Sequence, residues 1–288
     1  MAHLYKKQGM RAMAAFLPLL EHPHLARFAT FANSVSGFDK TLRLIIYTLK
    51  CFGLLLRDDA TSQKRIAAII GPMFESRYLL RMYGLLAMIP PLLHPTYTLS
   101  TKDPALYKKA VLERIMTYSM WVYYPAEYLY YLISHRIIGP REMRGDGKVL
   151  SVSTGDGWSQ LSCAAWAVYI LADLYGSIEA WWPKYQAYSK LEKQRQRSRR
   201  GKGNAGTKAN RDAVDEGKPD DVATSTHYKA LQQEVAEQGA AILSNLADLP
   251  LALNWSTSTM PLSNATVSML GLLGSVINFG LKWRHTTA

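Results

Sequence analysis

Arg77 and Arg81 stand four residues apart in FESRYLLRMYGLL, residues 74–86, an otherwise mostly apolar stretch. On a helix that spacing puts both guanidiniums on one face. They can snorkel to lipid headgroups, or they can pair with a carboxylate such as Glu75 or Glu127. Headgroup contact is the expectation. A second set of cations lies in GFDKTLRLIIYTLKCFGLLLR, residues 37–57. At about 100° per residue, Lys40, Arg43, Tyr47, Lys50 and Arg57 fall within roughly a 100° arc beside Asp39. These groups bind phosphate and carboxylate; they do not assemble into a catalytic set. No Walker-type glycine loop, no H-E-x-x-H, no Cys/His metal spacing and no G-x-S-x-G elbow occurs. No catalytic residue, no metal and no cofactor is expected.

The element that carries the second set decides its meaning. Phe38, Leu42, Ile45, Ile46, Leu49, Phe52, Leu55 and Leu56 fill most of the remaining circle, and only Leu54 intrudes on the polar side. A core helix of a soluble bundle is the ordinary source of such a pattern. Here the apolar arc is wider than one core face needs, and the polar side carries a single acid. A helix of that kind lies in the headgroup plane of a membrane. Each Lys or Arg near an anionic surface contributes about 1 kcal/mol. A fully buried Leu, Ile or Phe contributes about 1.5–3 kcal/mol, so apolar insertion outweighs the charge. The expectation is a shallow wedge. Phe38, Leu42, Ile45, Ile46, Leu49, Phe52 and Leu56 insert, and Lys40, Arg43, Lys50, Arg77 and Arg81 contact headgroups. Anionic lipid is then the first partner.

The rest of the chain fits an all-α protein. Its 288 residues are 48% hydrophobic, and the net charge is +12. Alternating strand-like runs are few and helical spacing dominates. Helices are expected near 34–57, 62–89, 104–138, 157–195, 227–248 and 262–283. Residues 196–226 carry no aromatic, and a basic block gives way to an acidic one. Such a segment reads as a disordered linker. It divides the chain into a lead segment 1–33, a helical region 34–195, the linker, and a C-terminal helical pair 227–288. The lead segment imitates a signal peptide at 12–20, but Pro18 interrupts its apolar run.

From Leu249 through Leu281 no residue is charged, so 262–281 is the strongest candidate to span a membrane. Within it Gly271, Gly274 and Ser275 could let two helices approach closely. Residues 115–134 compete less well because of Glu127, and 157–172 is short. The fold expected is a membrane-associated helical bundle with amphipathic helices and one or two transmembrane helices. Cys51 and Cys163, in apolar stretches, read as buried thiols. The basic run 190–202 has no interleaved aromatic, so lipid or solvent is expected there and not nucleic acid.

Four motifs resemble the peroxin-11 family of peroxisomal membrane proteins. GFDKTLRLIIYTLK (37–50) is similar to its opening signature through Lys40, Leu42-Arg43 and Tyr47. FESRYLLRMYGLL resembles the second through Arg77 and Leu80-Arg81. YPAEYLYYL (124–132) carries the single acid Glu127 among aromatics. LADLPLALNWS (246–256) and VSMLGLLGSVINFGLKWR (267–284) resemble the C-terminal pattern. The 196–226 segment and the loop 139–157 depart from it.

The resemblance implies a peroxisomal membrane protein with its termini toward the cytosol. It implies self-association into a homo-oligomer, elongation of the membrane before fission, and recruitment of fission factors including a dynamin-related GTPase. Membrane remodelling by the first amphipathic region is also implied. A different reading is an oligomeric pore or metabolite channel built from 115–134 and 262–281. The ending HTTA is not a matrix address of the S-K-L type, which bears only on that import route.

Overall fold

A computed structural model describes residues 22–138, 156–205 and 219–286. Among these residues every regular element is a helix. The elements are α1 (Pro23–Asn33), α2 (Val35–Leu55), α3 (Ala60–Ala87), the short α4 (Ile89–Leu93), α5 (Pro104–Ser134), α6 (Asp156–Ala205), α7 (Pro219–Trp255) and α8 (Asn264–Arg284).

Local chemistry sets the starts. Ser34 caps α2 by accepting from Gly37 N at 3.0 Å. Asp59 caps α3 by accepting from Thr61 N at 2.9 Å and Ser62 N at 3.3 Å. Asp103 caps α5, with Pro104 in the first turn, and Ser263 caps α8 by accepting from Thr266 N at 3.1 Å. Each side-chain oxygen meets an amide that the helix itself leaves unpaired. At the far end of α8, Arg27 of α1 donates to Trp283 O at 2.6 Å and Thr286 O at 2.8 Å. A cation there also opposes the negative end of the helix dipole.

Six helices close into a ring in which each packs on two neighbours: α2 on α3, α3 on α5, α5 on α6, α6 on α7, α7 on α8, and α8 back on α2. Apolar packing is concentrated in the seams. Ala167, Ile170 and Leu174 of α6 meet Ile242 and Ala252 of α7. Met120 and Tyr123 of α5 meet Ala165 of α6. Polar ties add to this: Trp181 Nε1 donates to Val235 O at 2.9 Å, and Asn245 Nδ2 to Asp173 Oδ2 at 2.6 Å.

The outside is apolar. On α6 Leu161, Val168, Leu171, Tyr175, Ile178 and Trp182 are exposed, and on α8 Met269, Leu273 and Val276 are. Their spacing of three, four and seven residues draws one outward stripe on each helix. Meanwhile Arg77, Glu127 and Asp248 are only 5%, 8% and 5% exposed. Charged side chains are seldom buried unless paired. Two helices, α6 over Asp156–Arg197 and α8, are long and apolar enough to cross a membrane, with 33% and 28% of their apolar windows buried. Minority burial is the feature that separates them from core helices of a soluble bundle.

The helices run into the segment read as a linker from both sides, to Ala205 and from Pro219. Arg, Lys and Gln, frequent in residues 190–202, are good helix formers. Residues 206–218 lie outside the described residues, as do 139–155 and the signal-like stretch at 12–20.

Candidate functional site

The ring encloses a polar cavity of about 270 Å³ lined from α2, α3, α5, α6 and the end of α7. Its charged walls are Arg43 and Lys50 of α2, Arg77 and Arg81 of α3, and Glu127 of α5. The helical period explains the set. Arg43, Tyr47 and Lys50 are three and four residues apart, and so are Phe74, Arg77, Tyr78 and Arg81, so each group shares a face.

Three ion pairs tie the helices through this interior. Arg43 forks onto Asp248 of α7, with Nη1 donating to Oδ2 at 3.0 Å and Nη2 donating to Oδ1. Arg77 donates through Nε to Asp39 Oδ1 at 2.7 Å. Arg81 Nη1 donates to Glu127 Oε1, and Tyr123 Oη donates to the same carboxylate oxygen at 3.2 Å. The Arg81 guanidinium also lies 5.8 Å from the centre of the Tyr123 ring. Bidentate and charge-assisted geometry of this kind fixes orientation as well as adding energy. Burial raises the pKa of the Asp39 carboxyl; the Arg77 guanidinium more than offsets that and holds it below the usual carboxylate value.

Lys50 differs from the arginines. Among the described residues it has no carboxylate partner; its ammonium sits over the Phe74 ring at 4.7 Å and the Tyr47 ring at 5.3 Å. Burial and the nearby Arg77 push that ammonium below its ordinary pKa.

The structure therefore places the expected headgroup cations differently from one another. Arg43, Arg77 and Arg81 face inward in ion pairs, because a guanidinium enclosed among helices needs a carboxylate to offset its desolvation. For Arg81 this is the pairing with Glu127 that the sequence left as the other option. Glu75 instead lies 3.7 Å from His135. Lys40 is half-buried and donates to Ser36 Oγ at 3.0 Å. Lys50 faces the cavity.

Of the expected inserting face, Leu42 and Ile46 are enclosed by protein at 8% and 0% exposure. The α2 helix packs on α1, α3 and α8; Arg43, Tyr47 and Lys50 of its stripe are turned into the ring, and Leu42 and Ile46 are enclosed with them. Phe38, Ile45 and Phe52 are exposed, and Leu49 and Leu56 are half-buried. The outward apolar face is thus narrower than the helical wheel alone suggests.

The small residues of α8 face other helices of the same chain. A Cβ on Gly271 would lie 2.0 Å from the Tyr47 ring of α2, and one on Gly274 would lie 2.6 Å from Asp248 Oδ1. Ser275 Oγ donates to Gly271 O at 2.5 Å within α8 itself. Gly271 and Gly274 are therefore what lets Tyr47 and the Arg43–Asp248 pair fit beneath α8. Asp39 and Asp248 were not singled out as site residues from the sequence. Their signal was present in the case of Asp39, the single acid beside the α2 stripe.

A separate apolar groove of about 710 Å³ runs between α3 and α5, lined by residues including Leu79, Met82, Leu86 and Leu129. Tyr78, Arg81 and Glu127 line both the groove and the polar cavity. Cys163 lines the polar cavity, and Cys51 is half-buried on α2.

A family model described as peroxisomal biogenesis factor 11 (PEX11) matches residues 25–283. No curated protein and no solved structure matches.

Proposed function

The chain belongs to the peroxisomal biogenesis factor 11 family, matched over residues 25–283, and from that premise we propose that it elongates the peroxisomal membrane ahead of division. Membership carries the coarse statement: a peroxisome biogenesis factor of the peroxisomal membrane. The finer mechanism is the proposal. The observation that supports it is the outward face of α2, where Phe38, Ile45 and Phe52 are 41%, 41% and 52% exposed beside spans that are themselves apolar outside. Buried in one leaflet, those side chains occupy area there without matching area in the other leaflet, which favours curvature. Copies of the chain associate, its termini face the cytosol, and fission factors including a dynamin-related GTPase are recruited to the elongated membrane.

The test is a tagged chain beside a peroxisomal marker in live cells, comparing wild type with Phe38→Glu, Ile45→Glu and Phe52→Glu combined. The expected result is that the variant still reaches peroxisomes but no longer lengthens them on overproduction. Equal elongation by the variant would remove α2 as the wedge.

A second reading, an oligomeric pore, draws support from the polar cavity inside the ring. It predicts that the whole chain in liposomes passes small solutes, and that elongation-deficient variants still conduct.

A further inference from the structure

We propose that the polar cavity and the α3–α5 groove together form a binding site for one phosphate-bearing amphiphile, such as an anionic glycerophospholipid. Its headgroup lies at Lys50 and Arg81, and its tail lies along Leu79, Met82 and Leu86. The inference concerns binding, and it stands or falls separately from membrane elongation.

Charge is the first argument. Of the four cations lining the cavity, the three arginines each hold a carboxylate: Asp248, Asp39 and Glu127. Lys50 is the one left over among the described residues, with aromatic rings at 4.7 and 5.3 Å as its neighbours. Lys50 is half-buried, and an ammonium partly withdrawn from water gains from meeting an anion. Arg81 adds donors. Among the described residues it gives one nitrogen to Glu127, and a guanidinium has five N–H groups in all. Arg81 and Lys50 line the same cavity, and a guanidinium and an ammonium each donate well to phosphate oxygens.

Shape is the second argument. The polar cavity alone, about 270 Å³, suits a headgroup and not a lipid. The groove is about 710 Å³ and overwhelmingly apolar in lining, within the about 300–1,000 Å³ typical of ligand pockets. The two share Tyr78, Arg81 and Glu127 as walls. A ligand that reaches both must be charged at one end and apolar at the other.

Depth is the third argument. The cavity is lined from the first turns of α6, at Ser159 to Trp166, and from the last turn of α7, at Trp255. Trp166 and Trp255 stack with centroids 6.3 Å apart. Ser159 is in the first turn of α6, a helix long and apolar enough to cross a membrane, and the end of such a helix is the level at which phospholipid headgroups lie.

The experiment uses the full chain purified in a mild non-ionic detergent and washed until bulk lipid is gone. Phosphatidic acid with brominated acyl chains is titrated in, and tryptophan quenching is read. Inorganic phosphate and soluble glycerol phosphate serve as competitors. Saturable binding near one lipid per chain is expected. Lys50→Gln should bind about tenfold more weakly, the size of one charge-assisted contact, and Lys50→Arg should restore binding. Leu86→Glu, in the groove, should weaken the lipid while circular dichroism stays unchanged.

Non-saturable quenching, or a Lys50→Gln variant that is folded and binds as wild type, overturns the proposal. So does displacement by inorganic phosphate or glycerol phosphate at the same concentration as lipid, which would mean an anion pocket without a tail site. If Leu86→Glu instead converts a dimer to a monomer and leaves lipid binding intact, the groove is occupied by a second copy and the proposal falls.

Discussion

At the scale of the residue, the interior arginines are defined by what they pair with. Removing one member of a buried ion pair leaves its partner charged and desolvated, at a cost of about 3–5 kcal/mol. Arg43→Met should therefore destabilise the chain by that order, because Asp248 is only 5% exposed. Arg43→Met with Asp248→Leu should recover most of the loss. Unfolding in detergent, followed by circular dichroism, reads both. Recovery failing in the double variant would mean that the pair does more than neutralise itself.

A second residue acts on a loop. Glu113 accepts from Thr96 N at 2.8 Å and Tyr97 N at 2.9 Å, pinning the chain ahead of α5. Burial raises its carboxyl, yet these two amides more than offset that and leave its pKa below the ordinary 4.5. A depressed carboxylate stabilises above its unfolded value and loses that contribution as pH falls through the folded one. The protection factors of the Thr96 and Tyr97 amides, exchange rates corrected for the intrinsic pH dependence, should thus be high above about pH 5 and fall as the pH drops below 4.5. In Glu113→Gln that fall should be absent.

At the scale of the element, α8 shows how a helix is chosen for closeness as well as apolarity. Gly271→Ala puts a Cβ into the Tyr47 ring, and overpacking of that kind costs about 1–3 kcal/mol. Gly280→Ala, where nothing lies within 4 Å, should be neutral or slightly stabilising, since Ala is the better helix former. Thermal unfolding of the two variants side by side separates packing from propensity. The wheel of α2 made its two sides legible, and Arg43, Tyr47 and Lys50 of its polar stripe share one face in the fold, while Arg57 falls beyond the end of the helix and is exposed. What it did not reveal is which side faces out. Leu42 and Ile46 share the apolar arc with Phe38 and Ile45, and only the position of α3 and α8 divides them. Leu42→Ala and Ile46→Ala should each cost about 2–5 kcal/mol as core truncations, whereas Phe38→Ala and Ile45→Ala should cost far less.

At the scale of the whole molecule, three ion pairs are enclosed among apolar seams, while Leu, Val, Ile and Met also line outward stripes on α6 and α8. An assembly of that kind should stay in the membrane fraction through alkaline carbonate extraction. Release into the soluble fraction would mean that the outward stripes on α6 and α8 are covered by protein. Two helices pass the length and composition test for a span. One of them, 264–284, agrees with the uncharged run legible at 262–281. The other was harder to see, because Asp173 and Glu179 cut its apolar run short in sequence. In the fold Asp173 is met by Asn245 Nδ2 at 2.6 Å and Glu179 by Lys108 Nζ at 2.8 Å. A charge whose partner lies on another helix looks unanswered until that helix is in place.

Composition and periodicity by themselves determined that this chain is helical, that it is apolar enough to meet a membrane, and which residues share a helix face. Those are properties of the local backbone repeat, and the order of four motifs was enough to point to the family. The direction each face takes was decided only by the tertiary structure. Arg43 meets a partner 205 residues away and Arg81 one 46 residues away. Whether a cation on an apolar helix reaches out to phosphate or in to a carboxylate depends on that distant partner. No local pattern contains it, because the energy that settles the choice is a long-range pairing inside a closed ring of helices.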